Sequence, residues 1–360
     1  VLVKAIVFIS LILIWGHNVD AKPTNLKDII GCTHVGGKYN LTDQDFLNEG
    51  ADKLLELGTR VIKLWFTPNP GKSYPFNSDW PKIETLMDLA KTPYFRKVFS
   101  KPFNTYILET FRPGHEWHYF VKGLSPKEAE EEQRQIYELA KYLLTEYKGT
   151  GKTFIVQNWE GDWVLTNPQF TKEPDPATIK GMIDWLNARQ DGVEQARKEV
   201  GMKGVTVAHA AEVNLMKRAI EGKVTVANDV LPKTHCDLYS YSAWDTQRDP
   251  KQFKAALDYL AKKAPDSKLF GSKNVYVGEF GAPENNVGGP DKQLELTKSA
   301  VETALDWGAK YVVYWELYCN EPAGEYEGRP KNSDCRGFWL IRPDGTKSPV
   351  WNYFVGLFKS

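Results

Sequence analysis

The chain has no surplus charge of either sign: 46 basic side chains balance 46 acidic ones over 360 residues. A balanced chain lacks the positive footprint that a polyanion attracts, so nucleic acid is not an expected partner. Long apolar runs are missing beyond the first twenty or so residues, and no later segment suffices to span a bilayer, so stable membrane insertion is not expected either. Cysteine is scarce, with four in the whole chain. None belongs to a CxxC or lies at ligand spacing from a histidine, which argues against zinc. His34 has no second histidine two residues away, and His115 and His118 have no Cys or Asp cluster near them, so no metal is expected. The segment Thr33–Lys38 lacks the glycine fingerprint of phosphate-binding sheets, and no organic cofactor is expected.

At the start, Lys4 precedes an apolar run from Ala5 to Trp15, followed by Val19-Asp20-Ala21. A charged n-region, an apolar h-region and small residues at a cut form the pattern of a secretory signal. We therefore read residues 1–21 as a leader and 22–360 as the mature, extracellular domain, expected to be a monomer. Export makes the cysteines candidates for disulfides. Cys319 with Cys335 would close the Gly-, Pro- and Asn-rich loop 320–334 and stabilise it by about 3 kcal/mol in the chain-entropy model. Cys32 and Cys236 are expected free and buried. Asn40-Leu41-Thr42 is an N-glycosylation sequon, which makes Asn40 a candidate attachment site.

Eight β-rich runs recur along the chain: 29–35, 61–66, 104–111, 153–159, 205–210, 237–243, 274–279 and 310–316. Helical patterns with their own punctuation lie between them. Ser125-Pro126-Lys127-Glu128 is a capping box with proline in the first turn, ahead of an amphipathic helix over 125–148. Asp249-Pro250 and Pro290-Asp291 open two more, and Pro349 to Phe358 would close the chain as a helix. Strand–helix alternation repeated eight times predicts an α/β fold, a single (β/α)8 barrel (TIM barrel), with no linker or second domain.

In such a barrel the chemistry belongs at the C-terminal strand ends. Here those ends are rich in carboxylates and aromatic rings. Glu160 follows the fourth strand between Trp159 and Trp163; Glu279 ends the seventh between Gly278 and Gly281. Cleaving a glycosidic bond takes one carboxyl group to protonate the departing oxygen and another to attack the anomeric carbon. The aromatic wall would raise the pKa of Glu160, which suits the acid/base, and a tyrosine from the sixth strand, Tyr239 or Tyr241, could donate to Glu279 as nucleophile. The 12 Trp, 17 Tyr and 17 Phe include rings at strand ends that can stack on the C–H faces of sugars. His209 reads equally well as a core histidine or a sugar contact.

The motifs Gly278-Glu279-Phe280-Gly281 and Trp315-Glu316, with a sixth-strand tyrosine, resemble the clan A retaining glycoside hydrolases, the barrel superfamily of cellulases and mannanases. The likeness in layout covers nearly the whole mature chain. It implies a covalent glycosyl-enzyme intermediate at Glu279, acid/base chemistry at Glu160, and substrate contacts from Asn158, Trp163, His209, Tyr239, Tyr241, Trp315, Arg112 and Glu316. Two positions depart from the clan pattern. Trp159 separates Asn158 from Glu160, which leaves Asp162 and Glu212 as alternatives for the acid, and the second strand carries Lys63 where many members have an arginine, a role open to Lys63 or Arg112. The reading is a secreted retaining hydrolase of a β-linked oligo- or polysaccharide, with the two carboxyl groups about 5 Å apart. Its rivals are a sugar-binding barrel without catalysis and, further off, a metal-dependent barrel hydrolase or isomerase.

Overall fold

A computed structural model describes residues 25–166 and 173–359; the leader expected over 1–21 lies outside them. Among the described residues no helix is long and apolar enough to cross a membrane. Eight parallel strands close into a barrel in chain order: β1 (Ile30–His34), β2 (Val61–Phe66), β3 (Thr105–Thr110), β4 (Thr153–Gln157), β5 (Thr206–Val213), β6 (Leu238–Ser242), β7 (Val275–Phe280) and β8 (Val312–Tyr314). This is the expected (β/α)8 fold. Parallel neighbours need a crossover, and the helices that supply it begin where the sequence punctuates them. Ser125 caps Pro126–Glu146 with the full capping box, Asp249 caps Pro250–Lys263, and Gly58 ends Phe46–Leu57 in a left-handed conformation at φ 105°.

The barrel interior is layered. At the bottom, Val61, Ile107, Ile155, Ala208, Ala210, Leu238, Tyr276 and Val313 form an apolar plug. Residues two positions further along the same strands point the same way, and there the layer turns polar, with Lys63, Glu109, Gln157, Glu212 and Ser240 all buried. The opposite faces of the strands pack on the helices in the larger apolar core.

Two irregularities decide what reaches the mouth of the barrel. On β7 the register against β6 runs Tyr241 to Val277 and then Ser242 to Glu279, skipping Gly278. This bulge turns Glu279 inward, although strict alternation after Tyr276 would send it outward. A side chain at Gly278 would meet Ser240 Oγ at 1.9 Å and Glu212 Oε2 at 2.4 Å, so only glycine fits. Second, β4 stops at Gln157, so the two-residue period no longer governs the following residues.

The same crowding corrects the expectation for β6. Leu238, Ser240 and Ser242 are its inward residues, while Tyr239 and Tyr241 face the helices. Tyr241 hydrogen-bonds Asp245 and Thr246, and Tyr239 shares a 3.3 Å contact with Thr234. Neither reaches Glu279. The expected disulfide is also absent: all four cysteines are free and buried, including Cys319 and Cys335. Those two thiols are neighbours, but the loop is closed by other means. Ala323 N donates to Asp334 O at 2.8 Å, Arg336 N to Glu321 O at 2.9 Å, and the side chains of Arg336 and Glu321 pair. In the sequon, Asn40 is half-buried and its amide donates to Thr42 O at 2.8 Å.

Candidate active site

At the C-terminal mouth of the barrel, five strands and the turn after β4 deliver one connected cluster. Lys63 from β2 reaches Glu279 Oε1 at 2.8 Å, Glu109 Oε2 at 3.5 Å and Glu212 Oε2 at 3.6 Å. Glu279 Oε2 accepts from Ser242 Oγ at 2.9 Å and Trp244 Nε1 at 3.2 Å. Ser242 Oγ also lies 2.8 Å from Glu160 Oε1. Two such contacts on a single oxygen bring the nearer carboxylate oxygens of Glu160 and Glu279 closer together than the roughly 6.5–9.5 Å that separates the carboxyl groups of inverting glycosidases.

Glu160 arrives by a turn rather than by a strand. Its N–H donates to Glu212 Oε1 at 3.1 Å, and its carbonyl accepts from Trp163 N at 2.9 Å as the short helix Gly161–Thr166 begins. A Cβ at Gly161 would stand 2.4 Å from Glu212 O, so the turn can press this close only with glycine. Asn158 is the clamp that fixes the turn: its Oδ1 accepts from Glu212 N at 3.0 Å and its Nδ2 donates to Glu212 O at 3.4 Å. With both amide atoms used and no exposed surface, Asn158 positions Glu160 and does not face a ligand.

The alternatives to Glu160 are occupied elsewhere. Asp162 accepts from Asn214 N, Leu215 N and Val226 N at 2.8–3.1 Å, tying loops together. Glu212 lies deeper, accepting from Ser240 Oγ at 2.6 Å and Gln157 Nε2 at 3.2 Å. Lys63, and not Arg112, holds the position beside Glu279. Arg112 instead pairs with Glu132 at 3.0 Å. His209 is wholly buried on the outer face of β5, 3.3 Å from Arg189 Nε. Burial, then the Arg189 charge, holds its pKa well below the usual range, which makes it a neutral core histidine and not a sugar contact.

Burial dominates the electrostatics. It pushes the carboxyl of Glu160 well above the ordinary carboxylate range, helped by the charges of Glu279 and Glu212. Glu109 is raised in the same way, against the pull of Lys63, and Glu212 is raised too. For Lys63, burial opposes the charge, but the surrounding carboxylates outweigh it and hold the pKa well above normal. Glu109, Glu212 and Glu279 offer oxygens within 4.8 Å of one another, an arrangement that could hold a metal ion. The ammonium of Lys63 stands against all three.

Two cavities meet over this cluster. A 260 Å³ pocket is lined by Glu160, Glu279, Trp65, Trp159, Trp244, Trp315, Asn320 and Glu321. Across the shared wall of Trp65 and Trp159 lies a 640 Å³ pocket with Glu109, Phe111, His115 and Trp117 on its sides. Trp315 is thus a wall of the site, joined to Glu316 by a cis peptide bond. Glu316 is buried behind it and accepts from Asn320 N at 3.0 Å. Trp163 stands half-buried on the short helix and is not among the described wall residues.

Sequence reasoning missed Ser242, the group that joins the two carboxylates. The available signal was the alternation Leu-Tyr-Ser-Tyr-Ser on β6: small polar residues occupy one face opposite a glycine, and rings occupy the other.

No protein-family model and no curated protein matches the chain. The fold is similar to solved structures. A GH5_18 protein from Streptomyces cattleya, in complex with Manβ1-4GlcNAc, aligns at TM-score 0.60 and 14% identity over 92% of this chain and 80% of its own. An exo-β-1,4-mannosidase from Opitutaceae bacterium strain TAV5 aligns at 0.58 and 12% over 92% and 59%. A GH5-4 broad specificity endoglucanase from a Clostridium aligns at 0.53 and 13% over 93% and 97%. At these identities the likeness is one of fold.

Proposed function

We propose that the chain is a secreted retaining glycoside hydrolase of a β-linked oligo- or polysaccharide, with Glu279 as nucleophile and Glu160 as acid/base. The observation that carries this reading is Ser242 Oγ, which contacts both carboxylates at 2.8 and 2.9 Å and so sets the close spacing that double displacement needs. The activities of the fold neighbours, a mannosidase and an endoglucanase, are of the same chemical kind, and the export pattern at the start of the chain supports action outside the cell.

In the first step Glu160 gives its proton to the glycosidic oxygen as Glu279 attacks the anomeric carbon, leaving a glycosyl ester on Glu279 and a free alcohol. The ester removes the charge of Glu279, one of the causes that raise Glu160. The now ionised Glu160 is therefore a better-matched base for the second step. It takes a proton from water, whose oxygen displaces Glu279 and returns both carboxyl groups to their starting states. Lys63, Trp244 and Ser242 hold Glu279 in line throughout. The rival reading, a barrel that binds sugar without cleaving it, is disfavoured by the convergence of both carboxylates on one hydroxyl.

The test is Glu279→Ala. It is expected to lower turnover of activated aryl β-glycosides by at least about 10³-fold with the far-ultraviolet circular dichroism unchanged. A 2-deoxy-2-fluoro glycoside should leave a covalent adduct on Glu279 in the wild type. Retained turnover, or an adduct on a different residue, overturns the assignment.

A further inference from the structure

Glu109 stands apart from the other carboxylates of the cluster. It is 1% exposed, and neither of its oxygens has a hydrogen-bond partner among the described residues. Among the described residues its one ion-pair partner is Lys63 at 3.5 Å, and Lys63 is shared with two other carboxylates. A buried carboxyl group without a partner is costly to keep. Glu109 also lines the larger cavity rather than the pocket of Glu160 and Glu279, in company with Trp65, Trp159, Phe111 and Trp117. Rings flanking an unsatisfied carboxyl group suit a sugar, whose C–H face stacks while its hydroxyls pair with the carboxyl oxygens.

We propose that this cavity is a second sugar subsite in which Glu109 binds the hydroxyls of the ring next to the one being cleaved. The substrate class is thereby narrowed to a saccharide of at least two units without a carboxylate in this subsite. A uronate would bring an anion to a cluster that already holds Glu109, Glu160, Glu212 and Glu279 around the single ammonium of Lys63, and is disfavoured by charge. With its pKa raised by burial, Glu109 can donate as well as accept, as a pair of neighbouring hydroxyls requires. The 640 Å³ volume is ample for one sugar ring.

The proposal rests on the glycosidase reading for the words "being cleaved", and the experiment separates the two. Binding of methyl β-mannoside, methyl β-glucoside, β-1,4-mannotriose and β-1,4-cellotriose to the wild type, Glu109→Gln and Trp117→Ala is measured by calorimetry. Turnover of an aryl β-monoglycoside and of the same trisaccharides is measured alongside. The wild type should bind a trisaccharide more tightly than its monosaccharide, and both variants should cut that ratio about tenfold. Turnover should show the same loss in the ratio of kcat/KM for trisaccharide over aryl monoglycoside. If the variants weaken mono- and trisaccharides equally, or neither, or if the wild type binds no trisaccharide, the subsite is refuted. If the binding ratio changes as expected but no glycoside is turned over, the subsite stands and the catalytic reading falls. Trp117→Ala guards against an effect of Glu109→Gln passed through Lys63, because Trp117 carries no charge and its ring packs on Trp159 and His118.

Discussion

Among the described residues two ionic clusters are buried on both sides of the ion pairs, and they are balanced in opposite ways. Inside the mouth of the barrel a single cation, Lys63, serves Glu109, Glu212 and Glu279, with Glu160 one hydroxyl away. Outside the barrel wall two cations, Arg112 and Arg189, serve the single carboxylate of Glu132 at 3.0 and 2.9 Å. The outer cluster is finished: Tyr119 donates to Glu132 at 2.7 Å, Arg189 donates to Gln157 O and stacks on Trp185, and His209 stays neutral beside it. The inner one leaves Glu109 without hydrogen-bond partners and three carboxyl groups with raised pKa values. Both are equally buried, so burial does not separate function from structure here. The balance of charge and the unmet hydrogen bonds do.

The largest test of that contrast is to remove a cation from each cluster. Lys63→Met leaves the carboxylates with no counter-charge and should cost about 3–5 kcal/mol of unfolding free energy in urea, along with nearly all activity. Arg189→Met leaves Glu132 still paired with Arg112 and should cost less, about 1–3 kcal/mol, without altering the pH profile of turnover. Equal costs would mean that the inner cluster is no more strained than the outer.

Next in size is Glu160→Gln. Loss of the general acid should lower kcat/KM on an oligosaccharide by about 10²–10⁴-fold and far less on a dinitrophenyl glycoside, whose leaving group needs no proton. A uniform loss on both substrates would remove Glu160 from the acid role.

The inner cluster also predicts how stability follows pH. Glu109, Glu160 and Glu212 have folded-state pKa values above those of the unfolded chain, so between the two the folded state binds more protons and stability falls as pH rises. The melting temperature should decline as pH climbs above the usual glutamate range near 4.3, and Glu109→Gln should flatten part of that slope. A melting temperature that rises through this window would contradict it. The smallest effect separates the two faces of β6. Ser242→Ala should lower kcat about tenfold, whereas Tyr241→Phe, whose hydroxyl serves Asp245 and Thr246, should leave kcat within about twofold and cost about 1 kcal/mol of stability.

Much of this was legible in the sequence, and the parts that were not share a cause. The eight strands, their caps and the presence of a carboxylate at the end of the seventh follow from local chemistry: β-branched runs, Ser125 and Asp249 before helices, glycines around Glu279. Tyr239 and Tyr241 looked like donors to Glu279 because tyrosine carries a hydroxyl, but the alternation of β6 turns both toward the helices and sets Ser240 against Gly278. Trp159 between Asn158 and Glu160 left the acid open to Asp162 or Glu212, and the early end of β4 lets a turn carry Glu160 to the site. Cys319 and Cys335 were brought together but remain thiols, in a loop closed by backbone hydrogen bonds and the pairing of Arg336 with Glu321.

The sequence by itself determined the order of strands and helices, because propensity, capping and the two-residue period act over a few neighbours. The tertiary structure alone decided which charge meets which. Lys63 and Glu279 are 216 positions apart in the chain, and Glu160 and Ser242 are 82 apart. Closure of the barrel brings them within hydrogen-bond reach, and the bulge at Gly278 and the turn after Gln157 aim the two carboxylates at one hydroxyl. No local pattern encodes that meeting, since it depends on register and on the room left by neighbouring strands.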